Sequence, residues 1–258
     1  MIFVFTFTHL IWAIISITTI MCSLILIEKH QPTLKQILTI ACVICFISEM
    51  IKFFSTIQLV PNNDGSIYYP FIEQQHLPLH LCSLQILLIF YVRFSQNKTH
   101  KDTLLAFMYP TCIIGAALAI LMPSIFNESI SIDQAFTHPL AYQFFLYHSM
   151  LIILGIYIAK SKEVLIKGKH YFSTMAILFT IAFISLYVNS SLANTTYIDG
   201  KLISVDYTPN FFFTYNLPMR IPYSEIWHWY LYIGAIACIA CIVIFLFFIP
   251  FMKKDKQK

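Results

Sequence analysis

The stretch "HLPLHLCSLQ", residues 76–85, places a thiol and two imidazoles at the edge of an apolar segment. A thiolate is a strong nucleophile, and a base that takes the thiol proton makes a cysteine reactive. Pro78 suits the first turn of a helix, because a backbone N–H at that position would have no acceptor within the helix. Cys82 then follows closely, near the positive end of the helix dipole. The sequence therefore offers Cys82 as a candidate nucleophile.

The best candidate base lies on a different segment. His80 is two residues from Cys82 and would point to another face of a helix. His148, in "FLYHSM", is expected about 12 Å below the outer boundary of its segment, against about 8 Å for Cys82. We therefore predict His148 as the base and His80 as a supporting residue. The alternatives are that Cys82 is a packing thiol and that His148 hydrogen-bonds a neighbouring helix.

The elements that carry these residues are membrane-spanning helices. The chain has 258 residues, of which 59% are hydrophobic and 11% charged, whereas soluble domains carry roughly 25% charged residues. We predict an all-α, polytopic membrane helix bundle with seven transmembrane helices of about 20 residues each and no cleavable signal peptide. The predicted spans are Phe5–Ile27, Leu34–Leu59, Leu77–Phe94, Thr103–Met122, Leu140–Ala159, Tyr171–Asn189 and Ile226–Phe251.

The basic residues predict the orientation of the bundle. Most of the 16 Lys and Arg residues lie in the first, third and fifth connections and in the C-terminal tail. Basic residues concentrate on the cytoplasmic side, so we predict the N-terminus outside and the C-terminus inside. The chain then comprises a transmembrane domain over 1–252 and a basic cytoplasmic tail over 253–258. The basic residues in these three connections and in the tail are Lys29, Lys35, Arg93, Lys98, Lys101, Lys160, Lys162, Lys167, Lys169, Lys253, Lys254, Lys256 and Lys258.

Further polar residues inside or near the spans are candidates for a functional site, because such groups are costly in a membrane. Glu49 and Lys52 are three residues apart, so they form an ion pair or serve the site, with Glu49 orienting an imidazole. Gln85 lies further along the third span. Arg220 and His228 are expected at the outer interface, where Arg220 is either solvated or grips a lipid phosphate. The positions predict an outward-opening polar cavity shared by several spans.

The remaining cysteines and histidines do not predict a cofactor. The seven Cys are odd in number and mostly lie in apolar segments, which favours reduced packing thiols. Two CxxC pairs lie in mid-span without a second ligand pair, and nothing indicates nucleic-acid binding. We predict no metal and no other cofactor. One alternative is a haem or metal site formed by His80, His148 and His228 on three different spans. No haem-binding or metal-binding spacing of histidines in the sequence supports it.

Three motifs carry a family resemblance. "LPLHLCSLQ", "YHSM" and "TPNFFFTYNLP" resemble the YwaF-type bacterial integral membrane proteins, which are similar to the eukaryotic transmembrane protein 164 family. That family includes an acyltransferase that acts on ether phospholipids. A more distant likeness is to the androgen-induced membrane hydrolases of fatty-acid esters. The resemblance implies a multi-pass protein of a bacterial plasma membrane, with Cys82 as the acyl-carrying nucleophile, His148 as its partner and Asn210 as the outer-loop asparagine.

The function that follows is transfer of a fatty acyl group between phospholipid and lysophospholipid substrates, through a thioester on Cys82. One alternative is an intramembrane lipid ester hydrolase, in which water accepts the acyl group. Another is a non-enzymatic transporter or sensor with a relay or ligand site formed by Glu49, Lys52, His80 and His148.

Overall fold

The computed structural model describes residues 6–62, 64–198, 201–206, 209–215 and 223–255. Within these ranges, six helices are long and apolar enough to cross a membrane. The prediction of an all-α membrane protein is therefore confirmed, while its orientation stays a prediction. The helices are α1 (Phe7–His30), α2 (Leu34–Thr56), the shorter α3 (Leu81–Phe94), α4 (Lys98–Leu121), the four-residue α5 (Ile125–Glu128), α6 (Pro139–Lys160), α7 (His170–Leu192) and α8 (Ile226–Asp255).

The helix α3 is shorter than the span predicted over Leu77–Phe94. It has 14 residues and a length of about 21 Å, below the ~30 Å thickness of a hydrocarbon core. Residues 77–80, predicted as its first turn, instead form a bend and turn after a short 3₁₀ helix over Gln74–His76. The placement of Pro78 in the first helical turn is therefore wrong. Cys82 becomes the second residue of α3.

The start of α2 is fixed by hydrogen bonds from both sides. The Thr33 hydroxyl accepts the Gln36 N–H at 3.3 Å, and Gln36 Oε1 accepts the Thr33 N–H at 2.8 Å. From beyond the end of α6, Glu163 Oε1 accepts the Leu34 N–H at 2.7 Å. A carboxylate at this position also complements the positive end of the helix dipole. The first turn of α2 is thus tied to the segment that follows α6.

The chain forms two compact units, residues 1–73 with 82–165 (unit 1) and residues 74–81 with 166–258 (unit 2). In unit 1, α6 packs against α4, α2 and α1. At Gly155 of α6 a Cβ atom would lie 2.6 Å from Ile113 Cγ1 and 2.9 Å from the Tyr109 carbonyl oxygen. Small residues allow such close approach of helices in membranes. At Gly155 the absence of a side chain therefore allows α4 and α6 to approach each other closely.

An aromatic cluster holds α1 against α6. Trp12 is buried and donates its indole N–H to the Ala135 carbonyl oxygen at 3.1 Å. Its ring stacks on Phe145 with the centroids 4.7 Å apart. On the same helix, His9 Nε2 hydrogen-bonds the Ile120 carbonyl oxygen at 2.8 Å. These contacts join α1 to α4, to the α4–α6 connection and to α6 itself.

Two small antiparallel hairpins lie in connections that the sequence predicts as outer loops. In unit 1, β1 (Gln58–Pro61) pairs with β2 (Tyr68–Phe71), and the strands are exposed. In the turn between them, hydrogen bonds from Ser66 lower the pKa of the Asp64 carboxyl. In unit 2, β3 (Asn194–Ile198) pairs with β4 (Lys201–Asp206). In unit 2 as well, α8 continues to Asp255, which includes the start of the predicted tail.

The α4–α6 contact predicts that Gly155→Ala destabilises the protein. The added methyl group would meet a backbone oxygen, which cannot move aside as a side-chain end can. We expect the free energy of unfolding to fall by about 1–3 kcal/mol, as for overpacked cores. Thermal unfolding of the detergent-purified chain measures the change.

The matched control is Gly234→Ala in α8, where a Cβ atom would meet nothing within 4 Å. This variant should be neutral or slightly stabilising, because alanine favours a helix over glycine. Equal melting temperatures for the two variants would contradict a close α4–α6 contact at Gly155.

Candidate functional site

Cys82 lies in the first turn of α3, where backbone N–H groups have no partner inside the helix. The side chain is half-buried. Tyr147 of α6 is 4% exposed. Its hydroxyl donates a hydrogen bond of 2.7 Å to the Cys82 carbonyl oxygen. This bond joins the first turn of α3 to the middle of α6, one residue before His148.

His148 has a defined arrangement of ring protons. It is 7% exposed, and its Nδ1 lies 2.7 Å from the Phe144 carbonyl oxygen one turn earlier. A carbonyl oxygen only accepts, so Nδ1 carries the proton and Nε2 of the neutral ring carries the lone pair. Nε2 is therefore the nitrogen available to take a proton. Among the described residues, the His148 ring and the Cys82 thiol share no hydrogen bond, so their pairing stays a prediction.

Gln85, predicted to support the site, connects α3 to α4. It is fully buried, donates from Nε2 to Thr111 Oγ1 at 3.0 Å and accepts the Cys112 thiol at 3.3 Å. The amide nitrogen and the amide oxygen of Gln85 thus both form hydrogen bonds to α4. The position of Gln85 fixes the rotation of α3, and through it the direction of the first turn that carries Cys82.

Glu49 and Lys52 lie on the part of α2 that faces α6. Lys52 interacts electrostatically with Glu49 and with His148. Within the described part of the chain, however, the two side chains form no ion pair, so that alternative is not found. Next to them, Ser48 accepts a hydrogen bond of 2.6 Å from Gln143 Nε2 of α6. The arrangement places a cation near His148 and ties α2 to the α6 turn that precedes it.

In unit 2, His80 contacts the loop before α8. Its ring meets the Phe211 ring edge-on, with the centroids 4.8 Å apart. Phe211 is held by Asn189, whose side chain accepts the Phe211 N–H at 2.9 Å and donates to the Phe211 carbonyl oxygen at 3.0 Å. The same Asn189 amide donates to Thr214 Oγ1 at 2.9 Å. The motifs "LPLHLCSLQ" and "TPNFFFTYNLP" therefore meet at His80 and Phe211.

Of the other predicted site residues, two have hydrogen-bond partners nearby in the sequence and one lies outside the described residues. Asn210 Oδ1 accepts the Tyr215 N–H at 3.1 Å, which closes the turn in which both residues lie. His228 is at the start of α8, with Nδ1 3.2 Å from the Ser224 hydroxyl and its ring 3.8 Å from that of Trp227. Arg220 lies outside the described residues.

The outward-opening polar cavity predicted from the sequence stays a prediction. Two open pockets in this unit have volumes of about 380 and about 410 Å³, and neither is lined by Cys82 or His148. The first is apolar and follows α2 from Phe46 to Ser55, with Pro139 of α6. No group of three or more His, Cys, Asp or Glu residues with metal-binding geometry occurs in the described ranges.

Sequence reasoning missed the uncharged polar residues that position the candidates. These residues are Gln143, Tyr147 and Ser48, which join the helices in unit 1. A signal was present on α6, because Gln143 and Tyr147 are four residues apart and so share one face of the helix. The candidates predicted from the sequence were the ionisable residues together with Gln85 and Asn210, and they did not include this face of α6.

The six long apolar helices define a multi-pass helical membrane protein. A family model described as the TMEM164 family matches residues 4–248. The chain therefore belongs to the TMEM164 family, and the resemblance predicted from the motifs is confirmed. No curated protein and no solved structure matches the chain.

The contacts of Asn189 predict that Asn189→Leu loosens the loop over residues 209–215. The substitution leaves the buried Phe211 N–H and carbonyl groups without these partners, at about 1–3 kcal/mol. Hydrogen exchange of the peptide containing Phe211 should accelerate accordingly.

The control is Asn194→Ala, at an exposed position of β3 in the same unit. It should leave exchange at Phe211 unchanged. Slow exchange at Phe211 in Asn189→Leu would contradict the role given to Asn189.

Proposed function

We propose that this chain is a lipid acyltransferase of a bacterial plasma membrane, with Cys82 as nucleophile and His148 as base. The observation that carries the proposal is the hydrogen bond from Tyr147 to the Cys82 carbonyl oxygen, 2.7 Å long. It attaches the first turn of α3 to the turn of α6 that bears His148. The lone pair on His148 Nε2 and the place of Cys82 at a helix start add to the support.

In the first half-reaction, His148 Nε2 takes the Sγ proton, and the thiolate attacks the acyl carbon of a phospholipid ester. A C–S bond forms, the ester C–O bond breaks, and the leaving lysophospholipid oxygen receives the proton from His148. Catalytic hydrogen bonds are often long in the absence of substrate and tighten when it binds. Binding of the acyl chain would thus bring the Cys82 and His148 side chains within reach of each other.

In the second half-reaction, His148 takes the proton of a lysophospholipid hydroxyl, which attacks the thioester. The new C–O bond forms, the C–S bond breaks, and the thiolate regains its proton from His148. Water in place of the hydroxyl would give the hydrolase alternative. The two reactions share the acyl-enzyme and differ only in the acceptor, so a single labelled donor separates them.

The start of α3 also suits the negative charge that develops on the acyl oxygen. The N–H groups of the first helical turn have no acceptor within the helix, and the helix dipole favours an anion there. An oxyanion next to Cys82 Sγ would be stabilised by these groups. The charge of Lys52 near His148 fits a substrate with a phosphate headgroup.

The acyl-enzyme predicts covalent labelling of Cys82. Protein in membranes is incubated with a phospholipid that carries an alkyne-tagged acyl chain, and label released by hydroxylamine is measured. Cys82→Ser should lose the hydroxylamine-labile label, because an oxygen ester resists this reagent. His148→Ala should slow labelling on the order of 10²–10⁴-fold, as expected for a lost general base.

The control is Cys22→Ser, which removes an exposed thiol of α1 and should change nothing. Labile label that persists in Cys82→Ser would refute the nucleophile. Absence of any acyl label on the wild-type chain would favour the transporter or sensor alternative. Transfer of the tag to lysophospholipid, rather than to free fatty acid, distinguishes the acyltransferase from the hydrolase.

The role of Tyr147 predicts a slower acylation of Cys82 in Tyr147→Phe. The variant removes one hydroxyl, keeps Cys82 and His148, and leaves the first turn of α3 less firmly placed. We expect the labelling rate to fall by about tenfold, while the free energy of unfolding falls by only about 0.5–1.5 kcal/mol.

Tyr142→Phe is the matched control, because the Tyr142 hydroxyl also donates to a backbone oxygen, that of Phe136, at 2.8 Å. It removes the same kind of hydrogen bond from the same helix. Equal labelling rates in the two variants would remove Tyr147 from the mechanism.

A further inference from the structure

A second site in unit 1 has the features of an anion-binding pocket. It is open, has a volume of about 410 Å³ and lies between α2 and α3. Cys82 and Arg93 are eleven residues apart on α3, or about 16 Å along the helix axis. The pocket is therefore separate from the candidate catalytic residues. The lining residues are Pro32, Lys35, Gln36, Thr39, Ile40 and Arg93.

The guanidinium of Arg93 is held in place by α2. Its Nε donates to Thr39 Oγ1 at 2.6 Å, and the Thr39 hydroxyl in turn donates to the Lys35 carbonyl oxygen at 2.7 Å. The guanidinium has five N–H donors, and this bond uses the one on Nε. The terminal nitrogens keep the fork geometry that matches two oxygens of a phosphate.

At this end of α2, the Glu163 carboxylate accepts the Leu34 N–H and forms no ion pair with either cation of the pocket. In the part of the chain that the structure describes, neither Lys35 nor Arg93 forms an ion pair with a carboxylate. Two cations that share a pocket repel each other unless an anion lies between them. The Lys35 and Arg93 side chains thus provide the recognition that a phosphate group requires.

The surroundings favour a lipid as the source of that phosphate. Ile40 lines the pocket and is 55% exposed, and Val43, one turn further along α2, is 54% exposed. On a helix that spans a membrane, such exposed apolar side chains face acyl chains. Lys35 and Arg93 also belong to the basic residues that predict the cytoplasmic side, where anionic lipids lie.

We propose that Lys35 and Arg93 bind the phosphate of an anionic phospholipid in the leaflet at this end of α2, with an acyl chain along Ile40 and Val43. This lipid is a bound partner, not the substrate proposed to react at Cys82. The proposal does not depend on any acyl transfer. Basic pockets between transmembrane helices recognise phosphate headgroups in this way.

The test measures lipid binding to the detergent-purified full chain by native mass spectrometry. Phosphatidylglycerol and phosphatidylcholine, matched in acyl chains, are titrated separately. We expect the chain to prefer phosphatidylglycerol, and the double variant Lys35→Gln/Arg93→Gln to weaken its binding by about tenfold. Arg93→Lys keeps the charge but loses the fork, so its binding should be intermediate.

A matched control removes two positive charges elsewhere, in Lys29→Gln/Lys98→Gln, near the end of α1 and at the start of α4. It should bind phosphatidylglycerol like the wild type. An equal loss in this control would show general charge attraction and overturn the site. A third variant, Thr39→Val, removes the hydroxyl that holds Arg93 and should weaken binding without changing net charge.

A competition experiment with inorganic phosphate distinguishes binding of a lipid headgroup from binding of a soluble anion. If the pocket binds the lipid headgroup, millimolar phosphate should displace phosphatidylglycerol poorly, because phosphate lacks contacts with Ile40 and Val43. Displacement at phosphate concentrations comparable to those of the lipid would overturn the lipid assignment. Equal binding of phosphatidylglycerol and phosphatidylcholine by the wild type would overturn the proposal as a whole.

Discussion

Polar side chains within a bilayer have no water to bond, so their hydrogen bonds must come from neighbouring helices. In unit 1 these bonds connect Gln85 to Thr111, Gln143 to Ser48 and Tyr147 to the backbone at Cys82. Each bond requires one particular rotation of a helix about its axis. Apolar packing alone would tolerate several rotations, because Leu and Ile side chains resemble one another on every face. The polar bonds therefore decide which faces of α2, α3 and α4 meet.

The helix α6 takes part in two of these three bonds. It carries Gln143, Tyr147 and His148 along its first half and Gly155 at a close contact with α4. Towards its end, the Tyr157 hydroxyl donates to the Pro32 carbonyl oxygen at 2.7 Å. This helix is thus fixed at several levels against its neighbours. Such a rigid support is what a reactive pair of side chains needs, because small displacements reduce reaction rates strongly.

Composition and the long apolar segments were enough to predict a polytopic helical protein, since such segments have few alternatives in a membrane. The start of α3 was not predictable, because Pro78 fits both a first helical turn and a turn that precedes a helix. The contacts of Gln85 could not be predicted from the sequence either, since they depend on the rotation of α3 and α4 relative to each other. The sequence did identify His148 as an intramembrane histidine, but only the structure assigns its Nδ1 proton to the Phe144 carbonyl oxygen.

The edge-on contact between His80 and Phe211 has a consequence for the history of the family. The two positions are 131 residues apart in sequence, and the Asn189 amide fixes the backbone that carries the Phe211 ring. A change in the size of one ring would therefore have to be matched by the other. Positions 80 and 211 should covary among members of the TMEM164 family, with position 189 constrained to a side chain that both donates and accepts.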